Sequence, residues 1–139
     1  MYILDTNVLT ELMKSMGEQV VLEWIDGYSK EMQFTTALNQ AEILYGLAVM
    51  PKGRRRNELL IRANEMFEQE FNGRVLPFDE QAATHYADIY ATRKGLGRRI
   101  DVVDAQIAAV ARANGMAVVT RDIRDFADCE IELVNPWDA

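Results

Sequence analysis

Cysteine and histidine are almost missing from this chain of 139 residues, which has one of each. With Cys129 alone, no intrachain disulfide forms and a thiolate metal cluster is excluded. The residue reads as a small buried apolar side chain. His85 alone rules out zinc sites built from several histidines and has no cysteine or second histidine to work beside. It lies in the helical pattern DEQAATHYADIYATR, where a structural or surface role fits. No apolar run approaches the ~20 residues of a membrane span. Asp5 stands where a signal peptide would have its basic segment, so the expected location is cytoplasmic. Repeats, low-complexity tracts and linkers rich in Pro, Gly or Ser are also lacking. The expectation is one domain over residues 1–139, burying roughly two-thirds of the surface its unfolded form exposes. Chemistry, if there is any, falls to carboxylates.

An excess of positive charge is lacking too: the net charge is −7, unlike the usual basic footprint of a nucleic-acid binder. The cations are nonetheless clustered. Ten of the fifteen lie in PKGRRR (Lys52, Arg54, Arg55, Arg56), RKGLGRR (Arg93, Lys94, Arg98, Arg99) and TRDIRD (Arg121, Arg124). Each cluster reads equally as solvated loops and helix ends or as a basic edge on an acidic body.

Short apolar segments mark strands at 2–4, 33–36, 74–78, 117–120 and 131–134. Their continuous apolarity fits strands covered on both faces. Helical patterns run between them, at 8–13, 18–28, 38–50, 55–71, 80–93 and 102–114, with glycines near several ends. The alternation predicts an α/β fold, three layers α/β/α around a central, mostly parallel sheet of about five strands. Ligands in such sheets collect beyond the carboxyl ends of the strands, where the strand order reverses.

Four acids draw attention within that frame. Asp5 ends the first strand, and Asp122 follows the fourth, with Thr120 two residues before it. Taken singly, each reads as well as a helix cap or turn residue. Glu42 shares a helix face with Leu38, Tyr45, Gly46 and Val49, and Asp104 shares one with Ile100, Ile107, Ala108 and Ala111. Asn39 and Gln40 are placed elsewhere on the turn. A lone ionised carboxylate on an apolar stripe would neutralise or be lost unless a cation compensates it. Two such acids on different helices, with two at strand ends and no lysine on the stripes, point to a shared cation. Oxygen donors without a soft ligand favour Mg²⁺ or Mn²⁺, and such a site supports phosphodiester hydrolysis by activated water. Gly46, Ala105 and Ala108 would let the helices approach closely. Asp101 is a candidate outer ligand, or a helix N-terminal acid favoured by the macrodipole.

ILDTNVL, AEILYG, DVVDAQIAAVA and VVTRDIRDF, in this order and over nearly the whole chain, resemble the PIN-domain nucleases. Within that family they are similar to the VapC-type ribonuclease toxins of prokaryotic toxin–antitoxin pairs. RVLPFD and VNPW are similar to the FitB-like branch, whose toxin pairs with a ribbon-helix-helix antitoxin. The resemblance implies Mg²⁺-dependent RNA cleavage, a homodimer, and a cognate antitoxin that blocks the site and carries any contact with DNA. Carried over, the family's acidic quartet falls on Asp5, Glu42, Asp104 and Asp122, as metal ligands and catalytic groups, with Asn7 and Thr120 supporting. Arg54, Arg55, Arg98, Arg99 and Arg121 are candidate contacts to the RNA backbone. An antitoxin segment with a basic residue would fit the acidic pocket, seated on Leu9, Leu12 and Met13 unless these are ordinary core.

Two other readings stay open. A strand-end aspartate also opens phosphatases that form an aspartyl-phosphate, although these carry an acid two positions on, where this chain has Asn7; a receiver-like domain would need its acceptor near Asp79. The chain can also be a non-catalytic partner-binding protein with a structural ion.

Overall fold

Tyr2–Leu4 (β1) is the central strand of a five-stranded parallel sheet in the computed structural model, which describes residues 1–139. The other strands are Gln33–Thr36 (β2), Val75–Leu76 (β3), Ala117–Val119 (β4) and Leu133–Val134 (β5). Their order is β3-β2-β1-β4-β5, every neighbour parallel. The helices are Thr6–Met13 (α1), Gln19–Asp26 (α2), Ala37–Ala48 (α3), Arg54–Glu65 (α4), Glu80–Gly95 (α5) and Val102–Asn114 (α6).

Successive strand residues face opposite layers, and the core divides accordingly. Ile3 and Val118 pack against α5 and α6, together with Ile89, Ile107 and Phe126. Leu4 and Val119 pack against α1 to α4, with Val8, Val21, Ile43 and Phe67. The three-layer α/β/α arrangement expected from the apolar strands is the one observed. Cys129 is buried in the first cluster, where burial pushes its thiol up and away from reactivity. His85 accepts a hydrogen bond from Arg112 Nε at Nδ1 (2.7 Å), a structural contact between α5 and α6.

Several elements end earlier than their patterns suggest. The strand predicted over 74–78 pairs only at Val75 and Leu76, because Pro77 has no N–H to give to a ladder. The helix predicted over 55–71 changes after Glu65 into a wider turn, Met66–Glu70, with Phe71 N donating to Met66 O (2.9 Å). That widening turns Met66, Phe67 and Phe71 into the core.

Burial decides between two open readings in one place and corrects an expectation in another. Leu9 and Met13 are core side chains and Leu12 packs against the same cluster, so this trio is core rather than an exposed seat for a partner. Arg93, grouped by sequence with surface cations, is buried. Its guanidinium donates to the carbonyls of Arg98, Arg99, Asp125 and Ala127 at 2.8–3.1 Å, tying the α5–α6 loop to the segment after β4. A buried cation is tolerated there because each edge of its fork meets a carbonyl oxygen.

The chain builds β1, β2 and β3 in one direction and then crosses to β4 and β5, so the order reverses between β1 and β4. The carboxyl ends of those two strands therefore flank the expected crevice. Truncation at fully buried Ile107 (Ile107→Ala) should cost ~2–5 kcal/mol in chemical denaturation. Ile61→Ala, on the exposed face of α4, should stay within ~0.5 kcal/mol of the parent.

Candidate functional site

Asp5 continues β1 by donating its N–H to Val119 O (2.9 Å), and then turns the chain into α1 as its N-cap. Its carboxylate is buried, and both of its oxygens accept hydrogen bonds. Oδ1 accepts from Thr6 N (2.9 Å) and Asn39 Nδ2 (3.0 Å), and Oδ2 accepts from the Thr120 hydroxyl (2.7 Å). The donors come from the start of α1, the first turn of α3 and the end of β4, so three elements converge on one side chain. Burial pushes the Asp5 carboxyl up, the bonds from Thr120, Thr6 and Asn39 pull it down, and the charge of Asp122 pushes it up again; the net shift is upward.

The other three acids surround it. Glu42 Oε1 accepts from the Thr6 hydroxyl (2.8 Å), which itself accepts from Asn39 Nδ2 (3.1 Å). Partial desolvation raises the Glu42 carboxyl, the Thr6 bond lowers it, and the charges of Asp5 and Asp101 raise it; the result is upward. Asp122 Oδ2 accepts from Asn7 Nδ2 (3.1 Å), and Asp122 N donates to Thr120 Oγ1 (3.0 Å). Asp104, half-buried in the first turn of α6, lies in the field of Asp5, Asp101, Asp125 and Glu42. Desolvation first, and then those four charges, lift it from the ordinary 3.8 to about 7. The chain's ion pairs lie elsewhere: Lys14–Glu11, Arg54–Glu58, Arg98–Asp128, and Arg112 with Asp88 and Glu130. As the side chains stand, no three of the chain's His, Cys, Asp and Glu residues are gathered tightly enough to chelate an ion. The acids are clustered and unpaired but spread around Asp5.

The reason the sequence gives for singling out Glu42 needs correction. Tyr45 and Val49 on its face are 70% and 63% exposed, and Glu42 itself lies on an exposed surface of α3. Gly46 has open space where a Cβ would stand, so it is not a close-approach glycine. Asp104 does border the buried side of α6, where Ala105, Ile107 and Ala108 have no exposure. Asn39 is the residue that periodicity misplaced. It is fully buried and three positions before Glu42, hence on the same side of the helix, with Thr36 Oγ1 donating to its Oδ1 (2.6 Å). Thr6 and Asp125 were also overlooked; both lie next to or within the motifs that held the acids.

Asn7 joins two site residues, with Nδ2 donating to Asp122 and, at 3.4 Å, to Thr120, while Oδ1 accepts from Arg121 N (3.3 Å). Asp101 occupies the N-cap position of α6 without bonding its backbone N–H groups, and acts on Glu42 and Asp104 through its charge. Arg54, Arg55, Arg98, Arg99 and Arg121 are all exposed. The Arg121 guanidinium lies over the Trp137 ring, 5.1 Å from its centroid.

Comparison with known proteins gives a coherent set of likenesses. The family model described as PIN domain matches residues 2–131. The chain is 41% identical over 138 residues to VapC ribonuclease Y4jK of Sinorhizobium fredii, covering 99% of each chain. It is 35% identical over 137 residues to toxin FitB of Neisseria gonorrhoeae, again covering 99% of each. Among solved structures, FitAB bound to the IR36 DNA fragment contains a chain with a TM-score of 0.91 and 36% identity, over 99% of this chain and 96% of that one.

The raised acids fix a pH dependence. Between 3.8 and about 7 the folded chain keeps a proton on Asp104 that the unfolded chain has released, so metal-free stability falls as pH rises through that window. Asp5 and Glu42 act in the same direction. In EDTA, Asp104→Asn should therefore melt above the parent at pH 8 and close to it at pH 4, as read by thermal denaturation.

Proposed function

The chain belongs to the PIN-domain family, and from that footing we propose that it is a divalent-metal-dependent endoribonuclease, the toxin of a type II toxin–antitoxin pair. The observation that carries the reading is the Asp5 carboxylate, buried at the strand-order reversal and surrounded by Glu42, Asp104 and Asp122 with no Lys or Arg paired to any of them. Four clustered carboxylates that repel one another and lack a counter-ion fit a cation, and an all-oxygen donor set fits Mg²⁺, or Mn²⁺ as an alternative. When bound, such an ion supplies charge neutralisation at a phosphodiester and activation of water for attack on phosphorus.

The chain's own groups hold the acids in place for that task. Thr120 donates to Asp5 while accepting from Asp122 N and Asn7 Nδ2, which fixes its hydroxyl rotor. Thr6 donates to Glu42, and Asn39 serves both Thr6 and Asp5. Asp5 Oδ1 accepts two of these bonds, but Asp5 Oδ2, Glu42 Oε1 and Asp122 Oδ2 accept one each and keep a lone pair, so orientation leaves ligand capacity on every one of these acids. The exposed arginines named above supply positive charge for the RNA backbone around an acidic mouth.

The partner in this reading is a cognate antitoxin, of ribbon-helix-helix type, that inhibits the site with a basic side chain among the acids and brings the pair to DNA. The FitAB–DNA structure and the likeness to toxin FitB support a partner and its contact with DNA. A homodimer is part of the same reading, supported by the exposed apolar side chains Leu44 and Tyr45 on α3 and Val49 at its C-terminal end.

Asp5→Asn and Asp104→Asn should each abolish Mg²⁺-dependent cleavage of RNA while the far-ultraviolet circular dichroism stays that of the parent. Full activity in either variant, or undiminished activity in excess EDTA, would sink the four-acid mechanism. The near-isosteric Thr120→Val removes the donor to Asp5 Oδ2 and should lower cleavage roughly 10–100-fold in a gel assay.

A further inference from the structure

Beside the four acids, rather than over them, lies a cavity of about 750 Å³ whose walls differ in chemistry from the acidic mouth. One wall is α5, where Tyr86, Tyr90 and Lys94 follow at intervals of four and so share a face. The Tyr86 and Tyr90 rings lie 5.7 Å apart and 33° from parallel, and Tyr90 and Lys94 line the cavity. The other wall is the loop carrying Arg98 and Arg99, which turns at Gly97 with a φ of 69° that favours glycine. Buried Arg93 holds the carbonyls of Arg98 and Arg99, so this wall is built rather than loose. The cavity runs on to Asp101, whose charge acts on Glu42 and Asp104, so it adjoins the site.

The lining charges indicate an occupant. Arg98 is paired with Asp128 (3.1 Å), but Lys94 and Arg99 have no carboxylate partner, in a chain of net charge −7. Free cations beside an exposed aromatic ring match the two parts of a nucleotide, phosphate and base. A second copy of this chain fits less well, since a two-fold contact through this face would bring together two linings that each carry Lys94, Arg98 and Arg99 against the one carboxylate of Asp101. We propose that this cavity is an RNA subsite, holding a nucleotide next to the scissile phosphate with its base on the Tyr90 ring and its phosphate between Lys94 and Arg99. The subsite rests on the ribonuclease reading and adds how the strand is held and aligned beside the acids.

The test uses a fluorescent single-stranded RNA of randomised sequence, with affinity read by anisotropy in EDTA across a salt series and KM and kcat read with Mg²⁺. Tyr90→Leu should weaken binding roughly tenfold and leave the salt slope unchanged. Lys94→Gln with Arg99→Gln should weaken binding and reduce the slope of log affinity against log salt by about 0.7 for each cation removed. In both, KM should rise much more than kcat falls, with the melting temperature and solution mass unchanged. If the parent cuts RNA and both variants bind and cut it equally well, the subsite is overturned and the ribonuclease reading stands. If the variants instead change the solution mass, the face is a self-association surface, which also overturns it. A parent that neither binds nor cuts RNA would overturn the ribonuclease reading and the subsite with it.

Discussion

A carboxylate out of water at the end of the central strand is the constraint around which this molecule is arranged. Asp5 is costly where it stands, and an ordinary cap at the start of α1 would need no such burial. The fold lowers the cost with donors from three separate elements, Thr6, Asn39 and Thr120, but does not cancel it, since the carboxyl remains raised above its usual range. What is left over is an unbalanced negative charge, reinforced by Glu42, Asp104 and Asp122 rather than relieved by a basic residue. Retaining such an arrangement makes physical sense when an external cation completes it.

The sheet and its two cores place this charge. Because Ile3 and Leu4 anchor β1 to opposite layers, β1 cannot slip by one residue without turning its apolar pair over, and Asp5 emerges at a fixed height. Parallel pairing with β4 sets Val119 against Leu4, and the next residue of that strand, Thr120, then meets Asp5. The small residues Ala105 and Ala108, without exposure, hold α6 close to the sheet, so that Asp104 in its first turn reaches the rim of the same mouth. Packing and chemistry are joined through register: the core is what makes the acids neighbours.

Much of this was legible from residue order. The apolar strands, the helices between them and the α/β/α layering follow from periodicity, and the acids at strand ends were conspicuous because the rule for parallel sheets puts ligands there. Other features were hidden because a single chain's pattern does not separate an apolar face that is covered from one that is exposed. The stripe around Glu42 looked buried and is open at Tyr45 and Val49, whereas Leu9 and Met13 read equally as a seat for a partner or as core and are core. Asn39 and Arg93 were hidden for the opposite reason: polar side chains read as surface, and their partners, Asp5 and a set of loop carbonyls, lie far along the chain. Pro77 alone could have warned that the third strand would be brief.

The most direct measurement of the central claim, that the acids around Asp5 share a divalent cation, is the melting temperature of the chain as Mn²⁺ is titrated in. Binding to the folded form should raise it progressively with ion concentration, and the rise should disappear in the Glu42→Gln, Asp104→Asn double variant. An equal rise in the parent and the double variant, or no rise in the parent, would contradict a cation held by these acids.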